Sequence, residues 1–422
     1  MIELIKKLFP ICRSITGNGV RKSLDIIKKK IPNLDIKEIP SGTKVYDWNV
    51  PKEWNVHDAW VMDSNGNKII DFKINNLHLV NYSVSVDLSM DLTSLKKHIH
   101  TLPDNPDWIP YRTSYYNEDW GFCISHTQLE EIEILDGITN NGVYHVQIDS
   151  TLEDGFLTYG ELFIPGESRE EILFSSYICH PSMANDNLSG PALLTELAKN
   201  LSKEDLRYSY RFLFIPETIG AITWLSLNEG KHHNIVGGMV ATCIGDKGIM
   251  QYKCCKHESM IDNVVKKVFE DKGTKHKIRK FAPLGSDERQ YCSPGINLPI
   301  GCMTRTPYGE FEEYHTSADD LDFISSKSMD ESYEILKEIV YYLEYNKNYH
   351  NINPKCEPNL GNRGLYDLIG AGKRSDSIAL YKWILNYSDG NHSLIDISNK
   401  CNTDFPTILQ AAMDLEMANL IR

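Results

Sequence analysis

Between residues 140 and 350 the chain repeats one pattern, a short and nearly continuous apolar run followed by a segment with helical spacing. The apolar runs fall at 172–178, 210–215, 236–244 and 296–302, and the helical spacing at 188–201, 221–227, 260–269 and 329–343. A strand buried on both faces carries apolar residues at every position rather than at alternate ones, and strands linked through helices build a parallel or mixed sheet covered by those helices. The fold class this predicts is α/β, with the main domain over 136–350.

The flanking regions read differently. Residues 1–49 form the amino-terminal part of the α/β domain, two helices broken at 14–19, the second near 20–31 with Leu24, Ile26, Ile27 and Ile31 as its apolar positions. Over 50–135 the period changes: Val80, Tyr82, Val84, Val86 and Leu88 alternate with polar residues as in a half-buried strand. Asp63-Ser64-Asn65-Gly66-Asn67 has the composition of a hairpin turn. This stretch is expected to be a small β-rich inserted domain. Asn, Pro and Gly mark a boundary at 351–363. Residues 355–422 then carry three short helical patterns, at 378–385, 394–401 and 407–415, an arrangement that resembles a winged-helix domain. Its bases Lys373, Arg374, Lys382 and Lys400 are matched by Asp376, Asp389, Asp396, Asp404, Asp414 and Glu416. Affinity for DNA comes mainly from cationic contacts, so the tail is expected to serve packing, a protein partner or a homo-oligomer.

Charge excludes more than it assigns. A formal net charge of −14 repels phosphate backbones, and no basic patch offsets it, so no nucleic-acid partner is expected. Residues 1–10 lack the apolar stretch of a secretion signal, and no run approaches the roughly 18 apolar residues of a membrane span. The ten cysteines are irregularly spaced and read as reduced thiols of a soluble, cytoplasmic protein.

Three segments carry candidate chemistry. His180 and Asp186, within Cys179-His180-Pro181-Ser182-Met183-Ala184-Asn185-Asp186-Asn187-Leu188-Ser189-Gly190, lie between an expected strand and an expected helix, where open α/β sheets build their sites. An imidazole and a carboxylate suit zinc; alternatively, Asn187 or Ser189 is simply a helix cap. Glu217, in Pro216-Glu217-Thr218-Ile219-Gly220, follows another apolar strand and could act as a general base toward water, or sit as a solvated acid at a helix start. His315, in Glu313-Tyr314-His315-Thr316, could bring a second imidazole or be an ordinary surface histidine.

Taken together, the order His-Asp, Glu, His resembles the zinc aminopeptidases. Ala184-Asn185-Asp186-Asn187-Leu188-Ser189-Gly190 resembles the latter part of that family's G-A-x-D-N-x-S-G-like motif. Glu217-Thr218-Ile219-Gly220 is similar to its Glu-Glu-x-Gly element, and Tyr314-His315-Thr316 to its closing Tyr-His-Thr. The resemblance implies that His180, Asp186 and His315 hold zinc and that Glu217 is the catalytic base. Gly285-Ser286-Asp287 resembles a Ser-Asp element of the family, which makes Asp287 an additional candidate. Nearly the whole chain, including Arg112-Thr113-Ser114-Tyr115-Tyr116 and Trp120-Gly121-Phe122-Cys123, also resembles a group of bacterial aminopeptidase-like proteins with a β-rich insertion and a winged-helix tail, some of them associated with polysaccharide biosynthesis. The loop around Arg112 could be a lid on the site or simply the packed core of the insertion.

Departures from the family pattern bear on the metal count. Thr218 stands where the family has its second glutamate, Ser182 where it has an aspartate after the first histidine, and Thr242 where it has a later aspartate. Two histidines and one aspartate remain, and three protein ligands with one open position is the make-up of a catalytic zinc site. One zinc per chain is therefore expected, with a second only if Asp246 or Cys243 restores its site. The leading expectation is a zinc-dependent hydrolase of a peptide or another small amide. The alternative is a metal-binding scaffold or regulatory protein that keeps the fold without the chemistry.

Overall fold

A computed structural model describes residues 1–139, 142–366 and 376–422; Lys373 and Arg374 of the tail lie outside them. The chain divides into two compact units, one of residues 1–259 with 276–334, the other of 260–275 with 335–422.

The first unit is built on an eight-stranded mixed sheet. In chain order its strands are β1 (Asp35–Pro40), β2 (Phe156–Ile164), β3 (Glu171–Tyr177), β4 (Ser209–Ile215), β5 (Ile235–Ala241), β6 (Met250–Lys253), β7 (His276–Arg279) and β8 (Ile300–Thr304). In space they run β1-β2-β4-β3-β5-β8-β6-β7. Strand β3 is central and parallel to both β4 and β5, and every one of its residues is buried, which is why its apolar residues Ile172, Leu173 and Phe174 run together without alternation. Burying Ile172, Leu173 and Phe174 contributes roughly 1.5–3 kcal/mol per side chain. The chain leaves β3, returns as β4 on one side of it through the helix Ser189–Leu201, then crosses through the helix Ile219–Leu227 to β5 on the other side. That reversal opens a crevice at the carboxyl ends of these three strands, the usual place for a site in such sheets.

A second, antiparallel sheet of four strands is ordered Lys68–Asp71, Glu53–Met62, Val143–Glu153, Val86–Asp91. Its first two strands are joined through the 63–67 turn, where Asp63 accepts the Asn65 and Asn67 N–H groups at 2.9 and 2.8 Å. A central strand comes from beyond residue 135, and the helix His126–Thr139 precedes it. Of the alternating stretch 80–88 only its end is strand. Leu79 to Ser83 are buried at every position, Tyr82 has φ 70°, and the segment makes isolated bridges to Thr113 and Phe122 instead of a ladder. The 296–302 run is likewise shifted, since β8 begins at Ile300, after Pro299, which has no N–H to give a ladder.

In the second unit the strands Asn348–His350 and Asp389–Ser393 pair antiparallel, and the helices Asp376–Tyr387, Leu394–Cys401 and Phe405–Met417 follow the three helical patterns of the tail. Ser393 and Asp396 form a reciprocal cap at the second helix; Asp404 caps the third through the Thr407 N–H. The helix Met260–Asp271 belongs to this unit, with Asp271 accepting the Phe405 N–H at 2.8 Å and the Tyr342 hydroxyl at 3.0 Å. No described helix is long and apolar enough to cross a membrane, and none of the ten cysteines, all of them among the described residues, is in a disulfide.

Candidate metal centre

The loop after β3 carries His180 and Asp186 and is held by many side-chain hydrogen bonds, several of them to backbone. Asn185 Oδ1 accepts the Gly245 N–H at 2.8 Å, and Ser189 Oγ accepts that of Ile244 at 3.0 Å. Asn187 donates to Ser176 Oγ and the Tyr177 carbonyl, while its Oδ1 accepts the Gly190 N–H at 3.2 Å as a cap would. The helix starts at Ser189 with Leu188 at its N-cap and no side-chain cap there, so Asn187 holds the first turn from one residue further back. Asp319 anchors the loop from the far side: its carboxylate accepts the Asn185 N–H at 2.6 Å and the Asp186 N–H at 2.8 Å.

His180, Asp186 and His315 converge here. One ligand atom from each lies within 4.8 Å of the others, and among the described residues no other trio of His, Cys, Asp or Glu does so. His180 and Asp186 are buried and His315 partly so. Asp186 Oδ2 and His315 Nε2 are 3.0 Å apart, yet each is a buried polar atom without a properly angled hydrogen bond. Two electron-pair donors that face each other without bonding are what a shared cation would satisfy. The other oxygen of Asp186 accepts the Tyr177 hydroxyl, which in turn accepts from Thr242 at 2.7 Å. Burial drives the His180 imidazole down to about 4, so it is neutral, with a lone pair free, at neutral pH. Burial also opposes the charge of Asp186, but the neighbouring imidazoles and the Tyr177 hydroxyl outweigh it and hold the carboxyl at about 2. The neutral His180 imidazole, a second imidazole from His315 and the ionised Asp186 carboxylate are groups of the kind that zinc takes.

Glu217, past the end of β4, places Oε2 at 3.8 Å from His180 Nε2, and its side chain keeps 28% of its surface exposed, so the centre can be reached from solvent. Burial of the carboxylate and the charges of Asp287 and Asp186 push its pKa well above the usual range, opposed by Arg289. Asp287 is buried, accepts the Thr218 N–H at 2.7 Å and is raised by burial to about 7. It lies behind the Glu217 loop and outside the trio. Arg289 donates to Thr218 Oγ1 at 3.1 Å. Four residues around the centre, Ser182, Thr218, Cys243 and His315, have φ between 39° and 63°, the left-handed backbone that is costly for side chains other than glycine and collects at functional sites.

Asp246 is elsewhere. Its oxygens accept from the Asn185 amide at 3.0 Å, the Gly248 N–H at 2.6 Å, and the Thr306 N–H and hydroxyl at 3.1 and 2.7 Å, so its acceptor capacity is taken by loop anchoring. Ser182, Thr218 and Thr242 offer no carboxylate. The donor set fits one ion.

Residues given no site role from the sequence complete the surroundings. Tyr111 lies with its ring 5.4 Å from that of His180 and 5.1 Å from that of His315, and its N–H bonds the His315 carbonyl at 2.8 Å. Tyr115 bonds the Tyr111 hydroxyl at 2.9 Å, and Tyr314 stacks on His315 at 3.9 Å. Arg13, fully buried, donates to the His180 carbonyl at 3.0 Å. Only position within known motifs could have signalled Tyr314; Tyr111, Asp319 and Arg13 had no local signal.

Residues 2–346 match the family described as a domain of unknown function (DUF4910), and residues 347–422 match a winged helix-turn-helix family. A Clostridium acetobutylicum protein is 54% identical over 100% of this chain and 95% of its own length; it is provisionally named a polysaccharide biosynthesis protein with an aminopeptidase-like domain. A solved structure from C. acetobutylicum, provisionally called a peptidase, has a TM-score of 0.92 at 52% identity, covering 100% of this chain and 95% of that one. The zinc aminopeptidase BSAP from Bacillus subtilis shares the fold, with a TM-score of 0.58 at 13% identity over 81% of this chain and 94% of that one. The first unit is thus an aminopeptidase-like scaffold, and the tail a winged-helix domain.

Proposed function

The chain belongs to the DUF4910 family, and from the site this member carries we propose that it is a zinc-dependent hydrolase of an amide or peptide bond, aminopeptidase-like in its chemistry. The observation that carries the reading is the convergence of His180, Asp186 and His315 within 4.8 Å, beside a partly exposed glutamate. These three side chains would hold one zinc. Bound there, zinc supplies Lewis acidity, polarising a carbonyl and easing the loss of a proton from water.

The protein's own groups do the remainder. Glu217 accepts the proton of the attacking water on a carboxylate oxygen and delivers it to the leaving amine. Asp287 fixes the backbone of the Glu217 loop through the Thr218 N–H, and Arg289 moderates the accumulated negative charge. Asp319 and Tyr177 orient Asp186 from opposite sides, the kind of outer support that sets ligand geometry in metal sites.

Metal analysis of the purified protein should find one tightly held zinc per chain, lost in His180→Ala and His315→Ala; two equivalents would refute the single-ion site. Glu217→Gln should keep zinc and fold while lowering turnover of amino-acyl amides about 10²–10⁴-fold. Because the Clostridium relative is named for polysaccharide biosynthesis, amide-bearing saccharides belong in the panel beside short peptides. Thr218, Ser182 and Thr242, which replace expected carboxylates, favour a second reading, a metal-binding scaffold without catalysis. Zinc binding with no Glu217-dependent turnover across that panel would decide for it.

A further inference from the structure

A cleft of about 360 Å³ opens beside the hairpin of Lys44–Val45 and Trp48–Asn49, a size typical of small-molecule sites. Pairing of Lys44 with Asn49 and of Val45 with Trp48 leaves a two-residue turn, Tyr46-Asp47. Such a turn calls for glycine, asparagine or aspartate where φ is positive, yet Tyr46 has φ 52°. Tyr46 and Trp48 remain 40% and 39% exposed as residues, so the strain does not serve a core. Exposed aromatics held at a strained turn are a mark of a binding surface.

The rest of the lining narrows the occupant. Ile222 and Leu225 give it an apolar side, Asp47 and Glu229 two exposed carboxylates, and Gln290 and Ser293 neutral polar groups; among the described residues no lysine or arginine lines it. Acids and aromatics without a base select a cation, which binds the ring faces and the carboxylates together. Four polar side chains exceed what a single amine needs and suit a ligand that also carries hydroxyls. The cleft is linked to the metal centre. Ile222 and Leu225 stand four and seven residues past Thr218, about 6 and 10 Å along their helix, and Trp48 meets Tyr116 at 5.6 Å, from which Tyr115 leads to Tyr111 over the two imidazoles.

We infer that this cleft is a binding subsite for an amino sugar, with the apolar face of the ring on Trp48 and Tyr46, its ammonium at Asp47 and Glu229, and its hydroxyls at Gln290 and Ser293. As a determinant of what is hydrolysed, the subsite rests on the hydrolase reading; as a binding site it does not. The test is calorimetric titration of the full-length, chelator-treated protein with D-glucosamine, D-glucose and lysine amide. Glucosamine should bind, with glucose weaker by about tenfold, the scale of a partly desolvated cation–π contact. Trp48→Ala and, as a milder surface change, Glu229→Gln should each weaken glucosamine several-fold. No binding of glucosamine, equal binding of glucose, or binding unmoved in both variants overturns the inference. Lysine amide binding as tightly as glucosamine overturns it too, by assigning the cleft to basic peptides. Because zinc is removed, failure here leaves the hydrolase reading standing, and absence of Glu217-dependent turnover leaves this binding result standing.

Discussion

Asp319 bonds two successive N–H groups of the loop that carries Asp186, 133 residues earlier in sequence. Burial raises its own carboxyl well above the usual range, with those N–H groups opposing. Asp319→Asn would turn an amine toward one of the N–H groups it now accepts. Outer-shell losses of this kind cost roughly 10–100-fold in metal affinity, so zinc affinity measured by chelator competition should fall by that order while the loop's ligands remain; unchanged affinity would show that the loop holds itself. His180, Asp186, Glu217 and His315 were legible because each sits in a short motif with fixed spacing. Asp319, Tyr111 and Tyr177 were not, since what makes them matter is contact across the fold. Asp246 shows the converse: a carboxylate in a promising place whose four hydrogen bonds, from Asn185, Gly248 and Thr306, commit it to structure.

At the level of elements, the helix Ser189–Leu201 begins on the sheet with no room to spare. A Cβ on Gly190 would lie 2.3 Å from both the Ala241 carbonyl and Ser176 Oγ, atoms of the central strands. Gly190→Ala gains up to about 1 kcal/mol of helix propensity but should lose roughly 1–3 kcal/mol or more to overpacking. The urea midpoint should fall at constant slope; a midpoint equal to the parent's would mean that the helix start can shift. Strands β3, β4 and β5 were readable as continuous apolar runs because both their faces are covered. Val143–Glu153 was missed although Tyr144, Val146, Ile148 and Ser150 alternate inward, and β1, β6 and β7 are too short or too polar to stand out. Over 80–88 alternation misled because buried residues of both parities pack around a turn at Tyr82.

At the scale of the whole molecule, Glu53 should contribute to the acid response of the larger unit. Arg21 of the helix Asn18–Lys28 bonds it at 2.7 Å, and the Phe156 N–H at the start of β2 bonds it at 2.8 Å. Burial opposes the charge, but these partners hold the carboxyl down at about 2, from 4.5. A depressed folded pKa stabilises above the unfolded value and is lost as pH falls through the folded one. The stability difference between the parent and Glu53→Gln should therefore be full above pH 4.5 and shrink toward pH 2; a difference constant over that window would assign the bond a purely packing role. The α/β class and the winged-helix tail were legible from periodicity and resemblance. That the second sheet draws its central strand from beyond residue 135 was not, because strand partners are set by three-dimensional closure.

The backbone of the His315 loop is clasped by residues 109–111: the Tyr111 N–H bonds the His315 carbonyl at 2.8 Å and the Ser317 N–H bonds the Ile109 carbonyl at 2.8 Å. Closing so long a loop comes late in folding, since its entropy must be met before the contact is gained. A nascent polypeptide still lacking this clasp can already hold its first imidazole and its carboxylate, but not the ion those two would share with the third donor. An ion that needs all three donors could be held only once His315 has been made, and a ribosome-stalled fragment ending before His315 would leave the translation machinery without the complete donor set.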